Sequence, residues 1–163
     1  TVDFTKDLVA AKQVYYSEEI WKDDIWDTTF YDKRLQKGSD LGMRMANAFQ
    51  DGFASGYEKI VVIGSDMYDL QQSDIEAAFS SLQENDFVIG PADDGGYYLL
   101  GMNTFNAKLF QNKAWGKSTV LEATLNDLKD EKTALLEEKN DIDLYEDIEN
   151  NEVFYPFIKH NKK

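Results

Sequence analysis

The chain predicts a layered α/β protein in which helices cover both faces of a sheet. Three observations carry that prediction. Short apolar segments and amphipathic helical segments alternate along the chain, as they do when helices pack on a sheet. The segment Ile60 to Ile63 is a continuous apolar run without alternation, the pattern of a strand covered on both faces. Carboxylates follow directly after two such strands, where open α/β sheets collect their ligands.

The elements follow in order. The chain opens at Thr1 on a helical pattern with Val2, Leu8 and Val9 near one face, which reads as a missing beginning. "KQVYYS", Lys12 to Ser17, is short and β-rich, and an irregular acidic and aromatic stretch runs on to Thr29. "YDKRLQKGSDLG" reads as a polar loop punctuated by Gly38 and Gly42. Leu41, Met45, Ala48, Phe49, Gly52 and Phe53 recur at helical spacing, with Arg44 and Asn47 on other faces and Gly56 as the stop signal.

After the Ile60 to Ile63 strand, Ser73-x-x-Glu76 reads as a capping box that opens a helix through Ile75, Ala78, Phe79 and Leu82. "DFVIGPA" and "GYYLLGM" supply two more strands. Thr119-x-x-Glu122 opens another helix, and "TALLEE" is a late strand. No repeat and no linker divides the 163 residues, so a single domain over 1–163 is expected.

Composition narrows the function. The formal charge of −14 repels polyphosphate backbones, and the basic cluster is confined to Lys159 to Lys163, so a nucleic-acid partner is not expected. The chain has no cysteine, which excludes disulfides and thiolate nucleophiles, and its one histidine, His160, lies in the basic tail. A histidine-based triad or metal site is therefore not expected. No apolar run approaches the ~18–20 residues of a membrane span. The expected location is the cytoplasm.

Chemistry concentrates at the strand ends. Asp66 follows the first apolar strand, and Asp93 and Asp94 follow "FVIGPA". If those strands run in the same direction, the three carboxylates converge on one sheet edge, and their mutual repulsion favours a hard divalent cation, Mg²⁺ or Mn²⁺. An isolated Ser-Asp also caps ordinary turns, and "DDGG" is ordinary turn chemistry. Gly95 and Gly96 equally allow a ligand close to the backbone. Tyr97 and Tyr98 alternate faces, so at most one of them faces a ligand. "WGKST", Trp115 to Thr119, lacks the upstream glycine of a phosphate loop. What survives is a helix N-terminus with Lys117 nearby, able to attract an anion. "DIDLYED" lacks the glycine of a calcium loop and reads as an acidic helix start.

Five ordered blocks, "LQKGSDLGMRMANAF", "VVIGSDMYDL", "VIGPADDGGYYLLG", "LFQNKAWGKSTVLEATL" and "DIDLYEDI", resemble the bacterial radical-SAM/selenodomain-associated transferase family. That family is glycosyltransferase-like, with some members assigned to arsenosugar biosynthesis, and is related to nucleotide-diphospho-sugar transferases and to nucleotidyltransferases. The resemblance covers Tyr31 to Ile148. It implies a three-layer, mostly parallel, glycosyltransferase-A-like sheet that lacks the family's first strand and phosphate loop. It also implies a metal-dependent transferase that uses a nucleoside-diphosphate sugar; nucleotidyl transfer from a triphosphate and a non-catalytic nucleotide-binding or partner-binding module remain open, as does a homodimer.

Carried over by resemblance, Asp66 and Asp143, with Asp141 nearby, are the metal carboxylates. Gln36, Gly38, Gly42 and Arg44 form the loop near the nucleotide. Asp94, with Gly95 and Gly96, forms the sugar or acceptor motif, Asp94 orienting the sugar or serving as base. Tyr68 stands where family members have proline.

Overall fold

A computed structural model describes residues 1–64, Met67 and 69–139. A one-turn helix, α1 (Val2–Thr5), leads through β1 (Gln13–Tyr16), β2 (Asp32–Leu35), α2 (Leu41–Ala54), β3 (Ile60–Ile63) and α3 (Gln72–Ser81). The chain continues as β4 (Phe87–Pro91), β5 (Tyr97–Met102), a 3-10 turn at Ala107–Phe110, α4 (Val120–Asp127) and β6 (Thr133–Leu135).

β1 and β2 form a parallel pair, while the other strands form a four-stranded sheet ordered β3-β5-β4-β6. β3 and β4 both run antiparallel to β5, and β6 is parallel to β4. The expected mostly parallel sheet is therefore mixed. Its cause is the connection: Ala92 to Gly96 are all that separates β4 from β5. So short a turn reverses the chain, whereas a parallel crossover needs a dozen or more residues.

Both faces of the larger sheet are covered, as the apolar run predicts. On one face the rows Ile60–Met102–Phe87 and Val62–Leu100–Ile89 pack with Phe49 of α2, with Leu109 and Phe110, and with Leu128. On the other face Val88, Tyr98 and Leu99 meet Ala78 and Leu82 at α3 together with Met67 and Leu70. Strand residues alternate between the two clusters until the register shift at Gly90/Pro91. β4 is buried throughout, whereas all four residues of β3 are only partly buried. β3 thus carries the sequence of an interior strand while standing at the end of its sheet.

Local chemistry explains the boundaries. Asp40 caps α2 by accepting the Met43 amide at 2.8 Å, and Gly56 leaves the helix at φ +91°. α4 starts after Thr119 as expected, although no side-chain cap bond forms there. At α3 the expected Ser73-x-x-Glu76 box is corrected by two residues: Gln71 is the N-cap, and the Asp74 carboxylate accepts its amide at 2.8 Å. The expected polar loop at Asp32–Leu35 is a strand. Its backbone pairs with β1 from Gln13↔Asp32 to Tyr16↔Leu35. Lys33 is polar in sequence but inward in structure, where its ammonium meets Asp24 at 2.8 Å and the Trp21 carbonyl at 2.7 Å.

Candidate functional site at the strand ends

β3 and β4 point the same way, so the chain leaves both at one edge of the sheet. There Gly64 donates its amide to the Tyr98 carbonyl at 3.2 Å, and Met67 and Leu70 return to the core. Asp66, between Gly64 and Met67 in sequence, lies outside the described residues, as do Asp141, Asp143 and His160. Asp93 and Asp94 are exposed at the β4 end of the same edge.

The turn from β4 to β5 is fixed by its backbone. Ala92 donates to Gly96 and Gly95 to Ala92, each at 3.1 Å, and Gly95 sits at φ +85°. A Cβ there would stand 2.2 Å from the Ser118 carbonyl oxygen. Asp94 is part of this construction, because its Oδ1 accepts the Gly96 amide at 2.7 Å. Neither tyrosine that follows is open to a ligand. Tyr97 joins the first core cluster, where its hydroxyl is buried beside Thr124 without a well-formed hydrogen bond. Tyr98 joins the second and donates to the Glu137 carbonyl at 2.9 Å. Burial raises the pKa of both phenols, that of Tyr98 to about 12.

The loop from Gln36 to Asp40 folds back on the first turns of α2. Gly38 takes φ +138°, a conformation open to glycine, and a Cβ there would stand 2.6 Å from that of Met43. Arg44 braces the loop: Nη1 donates to Gln36 Oε1 at 3.1 Å and Nε to the Gly38 carbonyl at 3.2 Å. Asn47 adds a bond to the Lys37 carbonyl at 2.7 Å. Gln36, Gly38 and Arg44 are therefore brought together as one unit, with Gly42 buried in the helix behind them.

Two residues that the sequence reading missed tie these parts together. Lys139 donates to the Asp69 carbonyl at 3.2 Å and pairs with Asp74 at 3.1 Å, while its backbone carbonyl accepts the Asp93 amide. Trp115 lies on Gly42: a Cβ at that glycine would be 2.6 Å from indole Cζ2 and Nε1. No local signal marks either residue. At the N-terminus of α4, where the sequence suggests attraction for an anion, the Val120 amide donates to the Lys117 carbonyl at 3.2 Å and the Leu121 amide to the Gly95 carbonyl at 3.0 Å.

Among the described residues no group of three or more His, Asp or Glu side chains is placed to hold a metal ion. The carboxylates expected to do so, Asp66 and Asp143, are hard oxygen donors of the kind that suits Mg²⁺ or Mn²⁺.

A family model described as "Uncharacterized protein conserved in bacteria (DUF2064)" matches residues 2–117. The chain belongs to that family. No curated protein matches it significantly. Among solved structures, it is similar to a candidate nucleotide-diphospho-sugar transferase from Desulfovibrio desulfuricans G20. The TM-score is 0.80 at 28% identity, over 98% of this chain and 78% of the other. The α/β fold and the nucleotide-diphospho-sugar transferase superfamily expected from the sequence are thus supported. Among the described residues no helix is long and apolar enough to cross a membrane.

Proposed function

We propose that this DUF2064 member is a glycosyltransferase-like enzyme that binds a nucleoside-diphosphate sugar at the shared end of β3 and β4, within the radical-SAM/selenodomain-associated branch. One observation carries the reading: the similarity to the Desulfovibrio protein extends over 98% of this chain. In this reading the Gln36 to Arg44 loop receives the nucleotide. Arg44 uses two guanidinium donors on Gln36 and Gly38, and its remaining donors face a phosphate oxygen. Asp94 holds the glycine turn through Oδ1 and offers its other oxygen to a sugar or acceptor hydroxyl.

Asp66 and Asp143 are the residues that would hold Mg²⁺ or Mn²⁺. Such an ion, when bound, neutralises the diphosphate and favours its departure.

The test is thermal unfolding of the chain with nucleoside mono-, di- and triphosphates and nucleotide sugars, with and without Mn²⁺, beside Asp66→Ala. A ligand at 100 times its dissociation constant stabilises by about 2.7 kcal/mol. A metal-dependent shift for one base, absent in Asp66→Ala, is expected. Loss of the shift only when the triphosphate is withheld, with pyrophosphate released, would move the assignment to nucleotidyl transfer. No shift with any compound would refute the reading.

A further inference from the structure

We infer that residues 115 to 118 are a strut that holds the nucleotide loop and the sugar-side turn in one geometry, with Trp115 as its positioning residue. The inference rests on the strand-edge reading above and goes beyond it. Its two ends are close contacts to glycines. At one end the indole fills the space that a side chain at Gly42 would take. At the other, the Ser118 backbone fills the space over Gly95, with the Gly95 Cβ position 2.2 Å from its carbonyl oxygen. Three residues span at most about 11 Å even when extended, so the two halves of the site are held within a short reach of one another. The chain between them is not extended: Gly116 turns at φ +75°, and Lys117 donates its amide to the Ala114 carbonyl at 3.1 Å.

Core packing does not account for Trp115. It belongs to neither hydrophobic cluster, and its indole is only half-buried. A large aromatic side chain placed on a helix glycine, outside the core, fixes the position of that helix end. Gly42 lies between Asp40, which caps α2, and Arg44, which braces the loop, so movement of the indole is passed directly to both. The strut therefore sets the distance between the nucleotide and the group to which the sugar is offered.

The test uses Trp115 as its own reporter. In a Trp21→Phe/Trp26→Phe background the remaining indole fluorescence is followed while ADP, CDP, GDP, UDP or dTDP is added with Mn²⁺. The nucleotide that raises the melting temperature of the wild-type chain should also change the emission of Trp115. Trp115→Ala should weaken that nucleotide about tenfold, within the range of couplings between contacting residues, and Trp115→Phe should restore most of it. Gly42→Ala should weaken binding when Trp115 is present and add little in the Trp115→Ala background. Unaltered Trp115 emission on nucleotide binding, or equal affinities in wild type and Trp115→Ala, would overturn the strut. If Trp115→Ala does not fold, the fluorescence titration alone decides. If no nucleotide shifts the wild-type melting temperature, the site reading fails first.

Discussion

Replacing Gly95 by alanine separates two sources of strain within one turn. At φ +85° any L-residue incurs a left-handed penalty of about 1–2 kcal/mol. The new Cβ also stands 2.2 Å from the Ser118 carbonyl oxygen and 2.7 Å from its carbon, both backbone atoms that cannot swing aside. Overpacking of that kind adds about 1–3 kcal/mol, so Gly95→Ala should destabilise by about 3 kcal/mol. For a chain of this length that lowers the melting temperature by about 9 °C. Gly56→Ala is the control. Its φ is +91°, but a Cβ there meets nothing within 4 Å, so it carries the backbone penalty alone, about 1 kcal/mol. Urea unfolding of both variants with unchanged slope gives the difference directly. Equal losses would mean that the Ser118 contact contributes nothing, and the reasoning about this turn would be refuted.

Other expectations follow from the same geometry. Phe49→Ala, at a fully buried residue whose ring centroid lies 5.7 Å from that of Phe110, should cost about 3–5 kcal/mol in urea unfolding. The Lys33 hydrogen bond, then that of Tyr16, holds the Asp24 carboxyl below its ordinary value of 3.8. Its contribution is present above that pH and lost as pH falls through the depressed value, so acid should loosen the 17–31 segment, seen as faster amide exchange there. Lys33→Met should reduce the acid dependence, since the Tyr16 and Trp26 hydrogen bonds to Asp24 remain. Burial raises Tyr98 to about 12 and Tyr97 as well, so their protonated forms stabilise the fold below pH 10. That contribution is lost as pH rises through the raised values. Ultraviolet titration should show two of the nine tyrosines ionising only as the protein unfolds.

The sequence was legible where side chains alone decide the outcome. Phe49 and its helical partners announce α2, and Ile60 to Ile63 announces a strand covered on both faces. It was not legible where the backbone decides. Asp32–Leu35 has no apolar signature, because its place comes from pairing with β1 and from Asp24 neutralising Lys33. The direction of β5 follows from the shortness of one turn, which the strand's own composition does not reveal.

At the site, Gly95 and Gly96 read from sequence as a tight turn or a place for a ligand near the backbone, and Gly42 as loop punctuation, whereas the groups that approach them are set by the fold. Ser118 meets Gly95 and Trp115 meets Gly42 through the tertiary fold, and no local spacing encodes either contact. Arg44 and Asp94 are ligand contacts by the resemblance. The structure shows each also bracing its own loop, which is why such residues are ambiguous in a single sequence.

The β4–β5 turn has a kinetic consequence. Its two strands are close in sequence, pair through Phe87↔Met102 to Pro91↔Tyr97, and bury nearly every side chain. Their loop closes early, whereas β3 and β6 must be brought in from farther along the chain before they add to the sheet. The hairpin is therefore expected to form the folding nucleus. Gly95→Ala should accordingly slow refolding in a chevron experiment more than it speeds unfolding. The turn that shapes the ligand edge would then also limit how fast the protein reaches its native state.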